Sequence, residues 1–115
     1  PANVSGVIAV SAVDENLSKA SFSNKVSDIK MAVAAPGVNI LSTLPHNQYG
    51  MLSGTSMATP YVASLIAIMK SFQPTLSAKE AFFILSNTGL DTKNTLQTGR
   101  FIQPKRALEN ILKIK

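Results

Sequence analysis

The strongest constraint on the fold of this chain is the stretch 55–72, where apolar residues fall on almost every face of a helix. The large side chains alternate with small ones, in the order Val62, Ala63, Ser64, Leu65, Ile66, Ala67, Ile68, Met69 and Phe72. A helix that is apolar all round is expected to be buried on most sides. Gln73-Pro74 then ends it. Because the remaining elements are too few to cover such a helix, the sequence predicts part of a larger fold.

Short strand patterns come before this helix. The run 7–13, "VIAVSAV", predicts a buried strand, and "KMAVAAPGVNILST" predicts one strand up to residue 35 and another over 38–43, with a turn at Pro36-Gly37 between them. "YGMLSG" predicts a short strand that leads into the serine at position 56. No helix pattern separates consecutive strands, so the chain alone is not a repeated βαβ unit.

Two further helices have clear start signals. Ser77 and Glu80 form the capping-box pattern S-x-x-E, which opens a helix running to about Leu85 and ended by "SNTG". Pro104 fits the first position of a last helix.

Composition excludes several classes of function. With 115 residues the chain is one domain or less, and 45% apolar residues fit a packed core. No apolar run is long enough for a transmembrane span. The absence of cysteine excludes disulfides and thiol chemistry in this chain.

The net charge of +5 raises the alternative of a nucleic-acid-binding surface. However, the basic residues are scattered, and no aromatic–basic interleaving supports that function. The one mild basic cluster comprises Lys105, Arg106, Lys113 and Lys115, opposite the apolar residues Ala107, Leu108, Ile111 and Leu112. We therefore interpret the cluster as the solvated face of an amphipathic helix.

Ser56 lies at the predicted N-terminus of the long helix, in "GTSMA". Unpaired N–H groups and the helix dipole favour negative charge there, as the tetrahedral intermediate of acyl transfer requires. Gly54 supplies a tight turn, and the small neighbours let a substrate backbone approach. On these residues alone, the favoured interpretation is that Ser56 or Thr55 serves as a helix N-cap.

Two other serine motifs do not fit. A nucleophile elbow needs G-x-S-x-G, but position 58 is alanine. An S-x-x-K motif that starts at Ser56 would need a lysine at position 59, which is threonine. Ser27-Asp-Ile-Lys30 does match S-x-x-K but lacks the companion motifs, so we interpret it as a chance match.

The segment "GTSMATPYVA", residues 54–63, resembles the active-site serine segment of the subtilisin-like serine proteases, the subtilases. "VIAVSAVDENLSKASFSN", "APGVNILSTLP" and "GRFIQPKRAL" resemble, in order, other parts of the C-terminal half of that family. The resemblance implies an α/β fold, the C-terminal portion of a three-layer architecture with a mainly parallel sheet between helices. Residues 1–115 would form the C-terminal portion of one peptidase domain, completed by an upstream segment or a partner chain.

By this resemblance, Ser56 is the nucleophile of an Asp–His–Ser triad, and its own N–H contributes to the oxyanion hole. Gly54 and Thr55 match the neighbouring positions that support oxyanion binding, and Met57 matches the residue on the leaving-group side. Leu52 and Ser53 match positions that border the substrate cleft.

The triad's Asp and His lie far upstream in the family, and this chain holds neither segment. Asp14 and Asp28 lack the family's catalytic surroundings, and His46 is expected at a loop tip facing solvent. An N-terminal chain of the same protease is therefore expected to supply Asp, His and the oxyanion Asn, after self-cleavage near Pro1. The isolated chain would then be inactive.

The resemblance also sets expectations for substrate and location. We expect peptide or protein substrates, with a precursor or leader peptide as one class, and an extracellular or cell-surface enzyme of bacterial type. No cofactor or metal site is expected in this chain, because Asp28 is displaced from the family's cation position before A-P-G. A structural calcium ion elsewhere in the full protease is compatible with the family.

Three positions depart from the family pattern: Tyr61, Phe101 and Gln103. The alternative function is a non-catalytic pseudoenzyme half that acts as a binding or inhibitory module.

Overall fold

The structure, a computed structural model, describes residues 2–114, excluding the side chain of Ile114. Pro1, near which self-cleavage is expected, and Lys115 lie outside the described residues. In chain order the elements are β1 (Ala9–Val13), β2 (Ala32–Pro36), β3 (Ile40–Leu44), β4 (Gln48–Leu52), α1 (Thr55–Phe72), α2 (Ala78–Asn87), α3 (Thr95–Thr98), β5 (Arg100–Phe101) and α4 (Pro104–Ile114).

The central sheet is parallel, with the strand order β1-β2-β5. Strands β1 and β2 pair in register from Ala9 with Ala32 to Val13 with Pro36. Most of their residues are buried, as expected for a parallel sheet covered on its faces. Ser11 fixes the sheet to α3, because its buried hydroxyl donates to the carbonyl of Thr98 over 2.7 Å. The fold is therefore α/β with a parallel sheet, which confirms the predicted fold class.

Helix α1 packs on β1 and β2 with one face only. Its buried residues form a single stripe, Ala58, Val62, Leu65 and Met69. The side chains on the other faces, including Tyr61, Ile68 and Phe72, are exposed. Within the described residues the helix is thus covered on one side only, which agrees with the expectation that this chain has too few elements to cover it.

Strands β3 and β4 form an antiparallel hairpin beside the sheet. The register pairs Leu44 with Gln48, so three residues make the turn. His46 and Asn47 both adopt positive φ there, 65° and 58°, and His46 is exposed at the tip. The expected loop-tip position of His46 is confirmed.

The remaining helices begin as predicted. Ser77 caps α2 in a complete capping box with Glu80, although the helix ends at Asn87 rather than near Leu85. Helix α4 begins at Pro104, and the side chains of Lys105, Arg106 and Lys113 are exposed, as a solvated face requires. In the part of the chain that the structure describes, no helix is long and apolar enough to cross a membrane.

Candidate active site

The start of α1 is set by backbone contacts and not by a serine cap. Gly54 occupies the N-cap position, where no side chain caps the helix. The N–H of Gly54 donates to the carbonyl of Gly37 over 2.8 Å, and the carbonyl of Gly54 accepts from Met57 at 3.0 Å. The interpretation of Thr55 or Ser56 as an N-cap is therefore wrong.

Ser56 is the second residue of α1, and it is exposed. Within residues 2–114 its hydroxyl makes no hydrogen bond. Its N–H belongs to the first helical turn, whose N–H groups have no partner inside the helix. A free hydroxyl and an available N–H donor thus lie on one residue at the positive end of the helix dipole.

Two open grooves meet at Ser56. The first, called groove 1, has a volume of about 530 Å³ and runs between β3, α1 and the start of α4. It is lined by Ile40, Leu41, Ser42, Ser56, Met57, Pro60, Tyr61, Ser64, Leu65, Ile68, Pro104 and Leu108. This lining is mostly apolar, so groove 1 is suited to cover by another apolar surface.

The second, called groove 2, has a volume of about 790 Å³ and runs along β1. Its lining comprises Ala2, Asn3, Val7, Ile8, Ala9, Val10, Phe22, Ser23, Asn24, Lys25, Val26, Ile29, Thr55, Ser56 and Thr59. Among the described side chains of both grooves, Lys25 alone is charged, and none is a histidine, aspartate or glutamate. Neither groove therefore brings an imidazole or carboxylate base to Ser56.

The sequence-predicted neighbours of Ser56 fall on different sides of it. Thr55 lines groove 2, and its carbonyl accepts from the Thr59 hydroxyl over 2.9 Å. Met57 lines groove 1. A Cβ on Gly54 would lie 3.3 Å from the Met57 sulfur, so a larger residue at position 54 would press on Met57.

Leu52 and Ser53 lie at the end of the hairpin and line neither groove. The hydroxyl of Ser53 accepts from the N–H of Asn39 over 2.9 Å. Ser53 thus joins the two ends of the hairpin next to α1. The structure gives these two residues a supporting position beside the site and does not place them in the walls of either groove.

The other chemically active side chains are not gathered at Ser56. The carboxylate of Asp14 accepts from the N–H groups of Asn16 and Ser18 at 2.9 and 3.0 Å, which stabilises a loop after β1. Neither Asp28 nor His46 lines a groove. In the described part of the chain, no three His, Asp or Glu side chains are grouped as a metal site would require.

Sequence reasoning missed three features of this site. Gly37 was interpreted as a turn residue, but its backbone holds the start of α1. Phe22 and Lys25 line groove 2, although nothing in their local sequence connects them to Ser56. Proximity of that kind follows only from tertiary structure.

Comparison with known proteins agrees with this architecture. A family model described as the subtilase family matches residues 1–105. Subtilisin DY of Bacillus licheniformis is 44% identical over 100 residues, which is 87% of this chain and 36% of that protein. The major intracellular serine protease of Bacillus subtilis is 42% identical over 109 residues, 89% of this chain and 34% of that protein. The chain thus spans about a third of these relatives' length.

Two solved structures have the same fold. A mutant of the protease domain of PatA superposes with a TM-score of 0.85 and 26% identity, covering 100% of this chain and 43% of that one. The self-cleaved protease domain of PatA gives a TM-score of 0.82 and 28% identity, covering 98% of this chain and 44% of that one. With a family match over most of its length and a common fold, this chain belongs to the subtilase family of peptidases.

Proposed function

We propose that this chain carries the nucleophile of a serine endopeptidase, with Ser56 as the attacking residue. The observation that carries the proposal is the position of Ser56, whose exposed hydroxyl lies at the first turn of α1 where two open grooves meet. Groove 2 gives a peptide access to the hydroxyl, whereas groove 1 offers an apolar surface for the rest of the protease to cover. A serine that only capped the helix would instead have its hydroxyl engaged with backbone N–H groups.

The same residue supplies part of the oxyanion hole. When Ser56 Oγ attacks a peptide carbonyl, negative charge develops on the carbonyl oxygen, and the Ser56 N–H and the helix dipole stabilise it. Thr55 and Gly54 support this donor by holding the first turn of the helix. Met57, on the groove 1 side, borders the leaving group.

The base comes from the N-terminal portion of the same protease. A general base has to lie within about 2.6–3.2 Å of the hydroxyl that it deprotonates. The described linings of both grooves contain neither histidine nor carboxylate. A histidine oriented by an aspartate, both from the N-terminal portion, takes the Ser56 proton, and an asparagine from that portion completes the oxyanion hole.

The reaction then follows the ordinary course of acyl transfer. The bond from Ser56 Oγ to the carbonyl carbon forms, the C–N bond breaks, and the histidine donates its proton to the leaving amine. Water attacks the resulting ester, with the histidine again as base, and regenerates Ser56. These steps use side-chain and backbone groups alone, and any structural calcium ion is expected in the rest of the protease.

The surface of the chain supports a covering N-terminal portion. Strand β1 lies at an edge of the parallel sheet, and among the described residues only the segment 19–23 contacts its outer side, near Ala12 and Val13. Exposed strand edges and apolar helix faces favour association with further structure. Residues of α1 that face groove 1, such as Tyr61 and Ile68, provide such an apolar face.

A two-chain state formed by self-cleavage belongs to the same proposal. PatA, whose protease domain has a similar fold, is described as self-cleaved in one of its structures. We extend that property to this protease as a proposal, together with peptide or protein substrates that include precursor or leader peptides. The proposed location is extracellular or at the cell surface, although one relative is named an intracellular protease.

The test is hydrolysis of a casein or peptide substrate by the assembled protease carrying Ser56→Ala. Turnover should fall by about 10⁶, the loss that removal of the nucleophilic serine causes in a subtilisin. Ser71→Ala is the matched control, because Ser71 lies on the same helix, is exposed and lines neither groove. If the assembled protein binds peptides but neither form hydrolyses them, the alternative of a non-catalytic binding module replaces the proposal.

A further inference from the structure

One wall of groove 2 is a tight turn that follows β1. Phe22, Ser23, Asn24 and Lys25 line the groove from this turn, and Ser56 and Thr59 line it from α1. Phe22 is 49% exposed, so its ring is available to a bound molecule. The conformation of this turn therefore decides the shape of the groove beside Ser56.

Lys19 contacts both ends of this turn through its ammonium group. Its Nζ donates to the carbonyl of Ala20 at 3.0 Å and to the carbonyl of Ser23 at 2.5 Å. No carboxylate oxygen among the described residues lies within the 4.0 Å of this ammonium that would make an ion pair. Lys19 is half-buried and contacts both ends of one turn. An ordinary surface lysine would instead extend into solvent.

Both ends of the turn are also bonded to β1, and the N–H of Ser23 donates to the carbonyl of Ala20 at 3.0 Å. Ala20 N–H donates to the carbonyl of Ala12 at 2.9 Å, and the Ser23 hydroxyl accepts from the N–H of Ala12 at 3.1 Å. The carbonyl of Ser23, where the chain turns toward Asn24 and Lys25, accepts from Lys19. Hydrogen bonds from charged donors are stronger than neutral ones, so this contact restrains the exit of the turn.

We propose that Lys19 is a positioning residue for substrate binding, which holds the wall of groove 2 so that Phe22 and Lys25 face a peptide bound at Ser56. The inference rests on the proposed function of Ser56 and adds a determinant of peptide affinity to it. Lys19 touches neither Ser56 nor the reacting atoms. Its loss is therefore expected to change binding of the peptide and to leave the reactivity of the serine intact.

The test compares Lys19→Met, Lys19→Arg and Lys30→Met in the assembled protease. Methionine keeps the length of the side chain without the charged donor, whereas arginine can still donate to both carbonyls. Lys30 is an exposed lysine of the same β1–β2 connection and lines neither groove. Each variant is assayed with a peptide that extends several residues on both sides of the cleaved bond, and with p-nitrophenyl acetate, which is too small to reach the wall.

Lys19→Met should raise KM for the peptide about three- to tenfold, the factor associated with ordering one or two side chains on binding. Its kcat for the peptide, its rate with p-nitrophenyl acetate and its labelling by a fluorophosphonate should stay at the wild-type level. Lys19→Arg should restore KM, and Lys30→Met should not change it. In the double variant Lys19→Met/Phe22→Ala, KM should rise by less than the product of the two single effects, because Lys19 acts partly through Phe22.

An unchanged KM in Lys19→Met would overturn the inference, as would an equal loss with peptide and ester, or effects of Lys19→Met and Phe22→Ala that simply add. Failure of the proposed function is distinguishable from these results. In that case the wild-type protease would show neither peptide hydrolysis nor fluorophosphonate labelling at Ser56.

Discussion

The N–H of Gly54 donates to the carbonyl of Gly37 over 2.8 Å, and the N–H of Gly37 donates in turn to the carbonyl of Val13 over 3.1 Å. These two bonds connect the end of β1, the segment after β2 and the residue before α1. Ser56 follows two residues later, so its position is set by the central sheet. A nucleophile needs this kind of rigid support, because small displacements of reacting groups lower the rate strongly.

Gly37→Ala should therefore damage both stability and catalysis. The added Cβ would lie 2.5 Å from the Cβ of Ala12 and 2.9 Å from the carbonyl oxygen of Gly54, and neither can move freely. Overpacking of this kind costs about 1–3 kcal/mol of unfolding free energy. We also expect a lower kcat, since Gly54 has to shift. Gly50→Ala is the control, because its Cβ would meet only the flexible end of Leu44. Urea denaturation and steady-state kinetics measure the two effects, and wild-type values for Gly37→Ala would contradict this explanation.

Ile68→Asp should weaken association with the N-terminal portion. Ile68 is 46% exposed in this chain and lines groove 1, which we expect the N-terminal portion to cover. An unpaired charge in a covered apolar contact is strongly unfavourable, whereas the same charge in solvent costs little. Leu96→Asp is the matched control, since Leu96 is 89% exposed and lies outside both grooves. Analytical ultracentrifugation of the two-chain protein measures association. Equal affinity for both variants would show that groove 1 stays uncovered.

Ser77→Ala should destabilise α2 by about 1 kcal/mol, the usual cost of losing a serine N-cap. The Ser77 hydroxyl accepts from the N–H of Glu80 at 3.1 Å, and the Glu80 carboxylate accepts from the N–H of Ser77 at 2.9 Å. Ser77→Asp retains an acceptor and should keep most of the stability. Chemical denaturation in the Ser56→Ala background avoids self-digestion. A Ser77→Asp variant as unstable as Ser77→Ala would mean that the cap is not what the serine contributes.

The contribution of Glu80 should depend on pH. The hydrogen bond from the Ser77 backbone N–H, and then that involving its hydroxyl, lower the pKa of Glu80 below its ordinary value of 4.5. A carboxylate whose pKa is lower in the folded state stabilises the fold above the unfolded value, and this stability is lost as pH falls through the folded pKa. Wild type should thus exceed Glu80→Gln in Tm at pH 7, with the difference shrinking below pH 4.5. A constant difference across that range would exclude a role for the charge.

Local sequence signals predicted the elements whose ends are marked by capping residues or prolines. The bounds of α1, the capping box at Ser77 and the start of α4 at Pro104 were all confirmed, because caps and prolines act within one helical turn. The resemblance of the segment around Ser56 predicted the family, which was also confirmed.

Elements that depend on distant partners were missed. Strand β5 has only two residues, and it exists because Val33 and Ala34 of β2 pair with it across a long sequence separation. Helix α3 is a single short turn held partly by Ser11 of β1 through Thr98. Neither has a periodic pattern of its own, so tertiary contacts decide both.

The apolar pattern of α1 predicts a helix that is buried on most sides in the complete fold. The described residues of this chain bury one face of it only. Val62 and Met69 are buried against this chain, whereas Tyr61 and Ile68 remain exposed. The sequence shows which side chains are apolar, but it does not show which part of the protein covers them. The wall of groove 2 around Phe22 escaped prediction for a related reason, since only folding brings it near Ser56.

The most direct test of the account is fluorophosphonate labelling of Ser56, followed by mass spectrometry of the labelled peptide. The reagent reacts with a serine whose base and oxyanion hole are in place. We expect rapid labelling at Ser56 in the assembled protease and none when this chain is separated from its N-terminal portion. Labelling of the separated chain at the same rate would contradict the need for a base from outside it. Absence of labelling in the assembled protease would contradict the role of Ser56 as nucleophile.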